Sequence, residues 1–465
     1  MVTLLAGLGF ARNELLLFAG VGLLLGGLDD VLLDLLYAMR RLWRDLTVYR
    51  RFPRMTAKDL PPPGVAGPIA VFVPAWQESA VIGQMLRRCL SLWANEDMRI
   101  FVGAYPNDPD TMKVVTEVIE RQGEGKVQIV LNSLPGPTTK ADCLNHLWLA
   151  LRQWEDRIGR QALAVVLHDA EDVVHPDALR LIGLLSPRFA LVQLPVLPLV
   201  STRSRWISGH YCDEFAEAHG KSLLVREAMG AALPSAGVGC AFSRGALGRI
   251  AAARGERPFD PQSLTEDYEL GLRIGEDGGR GIMVRMRDAS GELIATREYF
   301  PETFGAAVRQ KARWMNGIAL SGWDRLGWSG GFREGWMRLR DRRAALAAVI
   351  LATAYLAFLL SGIVTVVAWL TGLPQPPAPP MLWWLLTINF VLLVWRLAVR
   401  LMFVWQTYGP AEALRSLPRT VVANVIAMAA AQRAVFAYVR HLRGAPLRWD
   451  KTVHRFPEES AVERG

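Results

Sequence analysis

The sequence predicts an α/β domain with a mixed, mostly parallel sheet, joined to an α-helical transmembrane part. Three observations predict it. Between residues 67 and 330, short β-type runs alternate with helical stretches, the pattern of a sheet covered by helices. Long apolar runs lie outside that block, near the N-terminus and after residue 343. Arginines crowd the borders of those runs, as in membrane proteins whose basic segments stay on the cytosolic side.

Residues 1–66 read as an anchor and a basic linker. The apolar run Leu15–Met39 is long enough to cross a bilayer. Arg40, Arg41, Arg44, Arg50, Arg51 and Arg54 follow it. No basic stretch precedes it and no small-residue cleavage site is obvious, so an uncleaved anchor fits better than a signal peptide. Asp29, Asp30 and Asp34 are expensive in lipid. Arg396 and Arg400, in the matching half of a later apolar run, are their expected partners. Pro61-Pro62-Pro63-Gly64 then separates the anchor from the α/β block.

Hydrophobic residues make up 51% of the chain and the formal charge is +9. A basic balance suits nucleic acid, a membrane surface or an anionic substrate. No nucleic-acid motif is present, so no nucleic-acid partner is expected. The four cysteines form no CxxC pair, which excludes zinc or redox spacing.

Within residues 67–330 the runs Ile69–Val73, Met98–Gly103, Val127–Leu131 and Ala162–Leu167 read as strands. Ligands in such sheets bind beyond the carboxyl ends of strands, so the residues that follow each run matter. Glu78 follows the first; it suits a base or ribose, or equally a helix cap. Asp108, in Tyr105-Pro106-Asn107-Asp108-Pro109-Asp110, suits a base, or a turn built from Asn, Asp and Pro. Lys140, at a helix start, is badly placed for the helix dipole unless it meets an anion, and phosphate is the sharper reading over a solvated lysine. Asp169 and Glu171, one residue apart at a strand end, can reach one Mg²⁺ or Mn²⁺ through hard oxygen ligands. In Thr265-Glu266-Asp267 an acid can take a proton, or Thr265 can cap the helix that follows. Gln310-Lys311-Ala312-Arg313-Trp314 offers a fork for phosphate and a ring for a sugar, or an amphipathic helix at a membrane surface.

Residues 331–442 read as membrane and interfacial helices. Arg338, Arg340, Arg342 and Arg343 precede a span at Ala344–Leu370. Thr371–Pro380 suits an external turn, and a third span starts near Met381. Val421–Val439 holds Gln432 and Arg433 and is expected to lie in the interface rather than cross. Residues 443–465 form a basic tail. Three spans put the α/β block and this tail on the cytosolic side.

The ordered set Glu78, Asp108, Lys140, Asp-x-Glu, Thr-Glu-Asp and Gln-x-x-Arg-Trp resembles processive family 2 glycosyltransferases of the cellulose and hyaluronan synthase type. It covers roughly Ile69 to Trp314. Further segments are similar to the bacteriophage N4 adsorption protein B group of inner-membrane glycosyltransferases. They include Gly26-Gly27-Leu28-Asp29-Asp30, Pro234-Ser235-Ala236-Gly237-Val238-Gly239, Arg297-Glu298-Tyr299-Phe300-Pro301 and Trp449-Asp450-Lys451-Thr452. The resemblance implies a GT-A nucleotide-diphospho-sugar domain, a UDP-sugar donor, a glycan acceptor, a divalent metal and inversion at the anomeric carbon. It implies a multi-pass protein of the bacterial inner membrane, with a cytosolic catalytic domain and an export partner in the outer envelope.

Carried over, Asp169 and Glu171 are the metal pair, and Asp267, with Glu266 beside it, is the base. Glu78, Tyr105, Asp108, Lys140, Asp169 and Arg313 would hold the donor. Gly237, Gly239, Phe242, Gln310 and Trp314 would line the acceptor site. Two departures stand out. Glu171 replaces an Asp, leaving Asp172 as a substitute ligand. Asn107-Asp108-Pro109 replaces Asp-Asp-Gly, leaving the base to Tyr105 or Asp108. Longer members carry a C-terminal domain resembling cyclic-di-GMP-binding modules, and regulation in cis by such a domain is not expected in a chain ending at Gly465. The other reading is a catalytically inactive scaffold for envelope assembly or phage adsorption. The acids retained at 169, 171 and 267 weigh against it.

Overall fold

The computed structural model describes residues 1–64, 67–444 and 455–457. The segment Trp449–Thr452 lies outside these residues. All four predicted runs are strands: β1 (Ile69–Pro74), β2 (Met98–Ala104), β3 (Val127–Leu131) and β4 (Ala164–Leu167). They are followed by β5 (Leu191–Gln193), β6 (Val196–Pro198), β7 (Cys240–Ser243), β8 (Gly281–Met283) and β9 (Thr296–Glu298). The main sheet runs β3-β2-β1-β4-β7-β5-β8, and β6 and β9 form a separate ribbon. Only β7 is antiparallel to its neighbours, β4 and β5.

Both faces of this sheet are covered, so its central strands are apolar throughout. Val71 and Val73 of β1 meet the helices Ile82–Leu92 and Ala178–Leu185 on one side. Ala70 and Phe72 meet the helix Lys140–Ile158 on the other. β1 has β2 on one side and β4 on the other, both parallel to it. The chain reverses its winding at β1, and a crevice opens beyond the carboxyl ends of β1 and β4.

Among the described residues, four helices are long and apolar enough to cross a membrane: the one starting at Val2, Ala344–Thr371, Pro380–Tyr408 and Pro410–Leu442. The first is a single helix, Val2–Leu46. Near its start Arg12 donates to the Pro376 carbonyl at 2.9 Å, and Asn13 to the Pro377 carbonyl at 3.0 Å. Further along, Asp29 and Asp30 meet Arg340 and Arg343. At about 1.5 Å per residue, the stretch between Arg12 and Asp29 is about 25 Å long, close to the thickness of a hydrocarbon core. The apolar run expected at Leu15–Met39 therefore extends past this stretch. Its second half lies on the α/β domain, where Leu33 packs with Val225 and Met337.

The partners of the three aspartates correct the sequence expectation. Arg396 reaches Asp30 only at 3.8 Å. Arg340 and Arg343 reach Asp30 at 2.9 and 2.7 Å and also hold Asp29. Asp34 pairs with Lys221 and accepts from Trp395 Nε1 at 2.9 Å. Arg396 and Arg400 turn instead to Glu217. The reason is adjacency: the helix Phe332–Arg342 brings Arg340, and Arg343 just past its end, to the first helix, and the α/β domain supplies Lys221 and Glu217.

The last helix, Pro410–Leu442, is held along its length by the α/β domain. Ile426 packs with Tyr211 and Ala307, and Ala430 and Ala434 with Ala312. The Tyr438 hydroxyl donates to Asp324 at 2.5 Å. Although its length and composition would allow a crossing, this packing favours a helix lying beside the domain. Arg419 fastens its start. This side chain is fully buried, 2.7 Å from Asp213 and 2.8 Å from Glu412. Burial outweighs Arg419 and pushes the Asp213 pKa up to about 7.

Arg419→Met would leave the buried Asp213 without its ion-pair partner and Glu412 with Arg415 alone, an expected loss of about 3–5 kcal/mol. Thermal unfolding of the purified chain in detergent reads this. An unchanged midpoint would contradict the anchorage.

Candidate active site

The site grows from the end of β4. Leu167 passes directly into His168-Asp169-Ala170-Glu171-Asp172. Asp172 is fully buried and accepts from His168 Nδ1 at 2.6 Å and from the Asp169 backbone at 3.2 Å. Burial lowers the His168 pKa to about 4, so the ring is neutral and donates. Asp172 thus braces the turn from behind, away from the pocket. Asp169 and Glu171 line the pocket.

Lys140 enters from the neighbouring helix, whose first turn is capped by the Thr139 side chain accepting from Asp142 N at 3.2 Å. Its ammonium lies 2.5 Å from Asp169. Burial opposes its charge, but Asp169, Glu266 and Asp267 outweigh burial and raise its pKa. The unfavourable helix-start position is therefore offset by three nearby carboxylates.

Thr265-Glu266-Asp267 opens the helix Glu266–Glu276. Thr265 makes no side-chain cap; its hydroxyl is buried without a hydrogen bond among the described residues. Burial raises the pKa of both Glu266 and Asp267, and Lys140 pulls each of them back. Asp267 Oδ1 accepts from Tyr268 N at 2.8 Å. Its other oxygen lies over Gly237, where a Cβ would stand 2.2 Å away. With φ at +79° as well, that position requires glycine.

The fourth wall is the helix Phe304–Met315. Lys311 ties it to Glu214 at 2.6 and 2.7 Å. Gln310, Arg313 and Trp314 face the pocket. Trp314 is flanked by Tyr211, Phe215 and Phe300 at ring separations of 6.0, 6.3 and 6.4 Å. Gln310 Oε1 is buried without a hydrogen bond among the described residues.

The structure therefore brings Glu78, Lys140, Asp169, Glu171, Glu266, Asp267, Gln310, Arg313 and Trp314 to one pocket, with Gly237 behind Asp267. Four other candidates lie elsewhere. Tyr105 is fully buried with Trp76 and Cys143, its hydroxyl 2.8 Å from Thr138. Asp108 caps the helix Pro109–Val118, accepting from Gln77 N at 2.5 Å and Thr111 N at 3.3 Å. Gly239 backs onto Thr296. Phe242 points into the core, because strand alternation sends Cys240 and Phe242 to the face opposite Ala241. The sequence reading assigned no role to Glu298, Phe300 or Phe215, which also line the pocket. Glu298 and Phe300 stand in the quoted segment Arg297–Pro301, where period-two alternation was the available signal.

The donor set suits a divalent metal. Mg²⁺ and Mn²⁺ are satisfied by one or two carboxylates with phosphate and water, so a cage of three protein ligands, absent among the described residues, is not needed. Asp169 already holds a cation, the Lys140 ammonium. The unbonded Thr265 hydroxyl and Gln310 carbonyl mark a pocket built for a polar occupant.

Residues 66–317 match the family model for glycosyltransferase like family 2. The chain is 38% identical over 469 residues to bacteriophage adsorption protein B of Escherichia coli (strain K12). Identity is equal to bacteriophage N4 adsorption protein B of Escherichia coli O157:H7. Each match covers 95% of this chain and 62% of the relative, so the chain spans less than two thirds of their length. Among solved structures, a mannosyltransferase from Pyrobaculum calidifontis in complex with GDP-Man and Mn²⁺ superposes with a TM-score of 0.54. It is 17% identical, and the alignment covers 93% of this chain and 99% of that one. That likeness is one of fold, the GT-A fold of a mixed, mostly parallel sheet. The sheet, the pocket beyond β4 and a family match over more than half its length place this chain in glycosyltransferase family 2.

Proposed function

We propose that the protein is a membrane-bound inverting glycosyltransferase. It moves a hexose or N-acetylhexosamine from a UDP donor to a growing glycan. One observation carries this reading: side chains from five separate segments, around 78, 140, 170, 266 and 313, converge on one pocket. They supply both an anion cradle and a buried base.

Asp267 is the base. Burial raises its pKa, which strengthens it as a proton acceptor relative to an exposed aspartate. The acceptor hydroxyl oxygen bonds to C1 of the sugar as the bond from C1 to the diphosphate breaks. The hydroxyl proton passes to Asp267, and the bonding pair leaves with UDP. A single in-line displacement inverts the anomeric centre. Lys140 and Arg313 lie where they take up negative charge on the leaving diphosphate. Asp169 and Glu171 would hold Mg²⁺ or Mn²⁺, which when bound supplies further neutralisation of that charge. Trp314, with Phe215 and Phe300, offers an apolar face to the acceptor sugar. The basic segments after the first helix and before Ala344 favour a cytosolic catalytic domain in a bacterial inner membrane. An envelope partner for export fits the kinship with adsorption protein B.

Membranes carrying the protein, supplied with radiolabelled UDP-sugars and Mn²⁺, are expected to release UDP. Asp267→Asn is expected to lower that rate at least about 100-fold. No release by the unaltered protein with any common donor would contradict catalysis and favour an inactive scaffold.

Gly237→Ala places a methyl group against the Asp267 carboxylate. Turnover is expected to fall more than about tenfold, with a stability loss of only about 1–2 kcal/mol from the positive φ. Unaltered turnover would mean that the position of Asp267 does not matter to the chemistry.

A further inference from the structure

The β6–β9 ribbon is a wall with two sides. Val196, Glu298 and Phe300 face the active-site pocket, while Leu197, Arg297 and Tyr299 face a second cleft. This alternation is what paired strands produce. The second cleft has a volume of about 820 Å³. It is closed on one side by the end of the membrane helix Pro380–Tyr408, where the Tyr408 hydroxyl donates to the Pro198 carbonyl at 2.8 Å.

The charges facing this cleft are unequal. Arg203, Arg287, Arg297 and Arg455 line it, against Glu292 and Glu302. Glu292 answers Arg297 at 3.4 Å. Glu302 accepts from the Ser201 hydroxyl at 2.6 Å. The Arg287 guanidinium donates to the Gly291 carbonyl, which leaves its charge in place. The guanidinium groups of Arg203 and Arg455 make no hydrogen bond or ion pair among the described residues. Leu199, Val200 and Leu293 supply apolar surface between these cations.

We propose that this cleft binds a phosphate-bearing ligand. Guanidinium groups pair with phosphate through two parallel hydrogen bonds, and a cleft with surplus arginine selects for it. The cleft lies at the end of a membrane helix, about 18 Å past the Arg396–Asp30 contact, so an anionic lipid reaching it would be drawn out of the headgroup layer. A soluble phosphate ester presents the same chemistry. Because β6 and β9 form one wall of both pockets, an occupant here would bear directly on the strands that carry Glu298 and lead into Phe300. The proposal concerns binding and stands apart from the catalytic reading.

The test uses the full chain and its Arg203→Gln/Arg455→Gln double variant. In nanodiscs of mixed phosphatidylglycerol and phosphatidylcholine, native mass spectrometry counts the lipids retained. In detergent with EDTA, radiolabelled pyrophosphate measures soluble phosphate binding; binding to active-site cations is common to both proteins and cancels. A loss of phosphatidylglycerol retention of at least about tenfold supports the site with a lipid occupant. An equal loss of pyrophosphate affinity alone supports it with a soluble occupant. No change in either overturns it. The Arg203→Lys/Arg455→Lys pair keeps the charge but loses the paired guanidinium bonds, and is expected to bind more weakly than the unaltered protein and more tightly than the glutamine pair. If it loses as much as the glutamine pair, the effect is not one of charge, and the proposal also fails.

Discussion

Buried carboxylates need cations, and this fold concentrates several of them beyond one strand end. Asp169, Glu171, Glu266 and Asp267 share one pocket. Left alone they would repel one another and protonate. Lys140 and Arg313 are the cationic side chains lining that pocket. Each comes from a separate helix, so the helices Lys140–Ile158 and Phe304–Met315 must both dock for the negative charge to be balanced. The 2.5 Å pair between Lys140 and Asp169 links the first of these helices to the sheet. The Lys311–Glu214 pair ties the second to the helix Gly209–Glu217.

The same electrostatic rule joins the domain to its membrane helices. Asp29 and Asp30 would be costly in a lone apolar helix. Arg340 and Arg343 stand opposite them, at the point where the chain passes from the domain into the helix Ala344–Thr371. Asp34, Lys221, Glu217 and Arg396 continue the chain of charges into the α/β domain. Placement of the domain against the helices is thus specified by complementary charges as well as by the packing of Leu33 on Val225 and of the Phe403 ring on Gly220. The last helix adds a third attachment through Arg419, and its alanine-rich face lets it lie close to the helix that carries Trp314.

Much of this was legible in the sequence because it is local. The first four strands announced themselves as apolar runs, and the acids that follow β4 stand where ligands bind in such sheets. What was not legible depended on distant partners. Asp108 and Asp169 both follow a strand, but Asp108 is consumed by Gln77 and Thr111. Asp172 looked equivalent to Glu171 until His168 was found bonded to it. Phe242 was placed in the acceptor site by motif, whereas strand alternation sends it into the core. The aspartates of the first helix found Arg340 and Arg343, more than 300 residues away, because helix adjacency is not written in local pattern. Glu298 and Phe300 reach the pocket through a ribbon whose pairing, β6 with β9, has no short-range signal.

The central claim is that Asp169 and Glu171 jointly hold a divalent metal beside the donor diphosphate. Crystals grown with UDP and Mn²⁺, measured at the manganese absorption edge, test it most directly. An anomalous peak within ligation distance of both carboxylates, with Lys140 turned from Asp169 toward phosphate, is the predicted result. A peak held by other residues, or UDP bound with Lys140 still on Asp169 and no peak between the two acids, would contradict it.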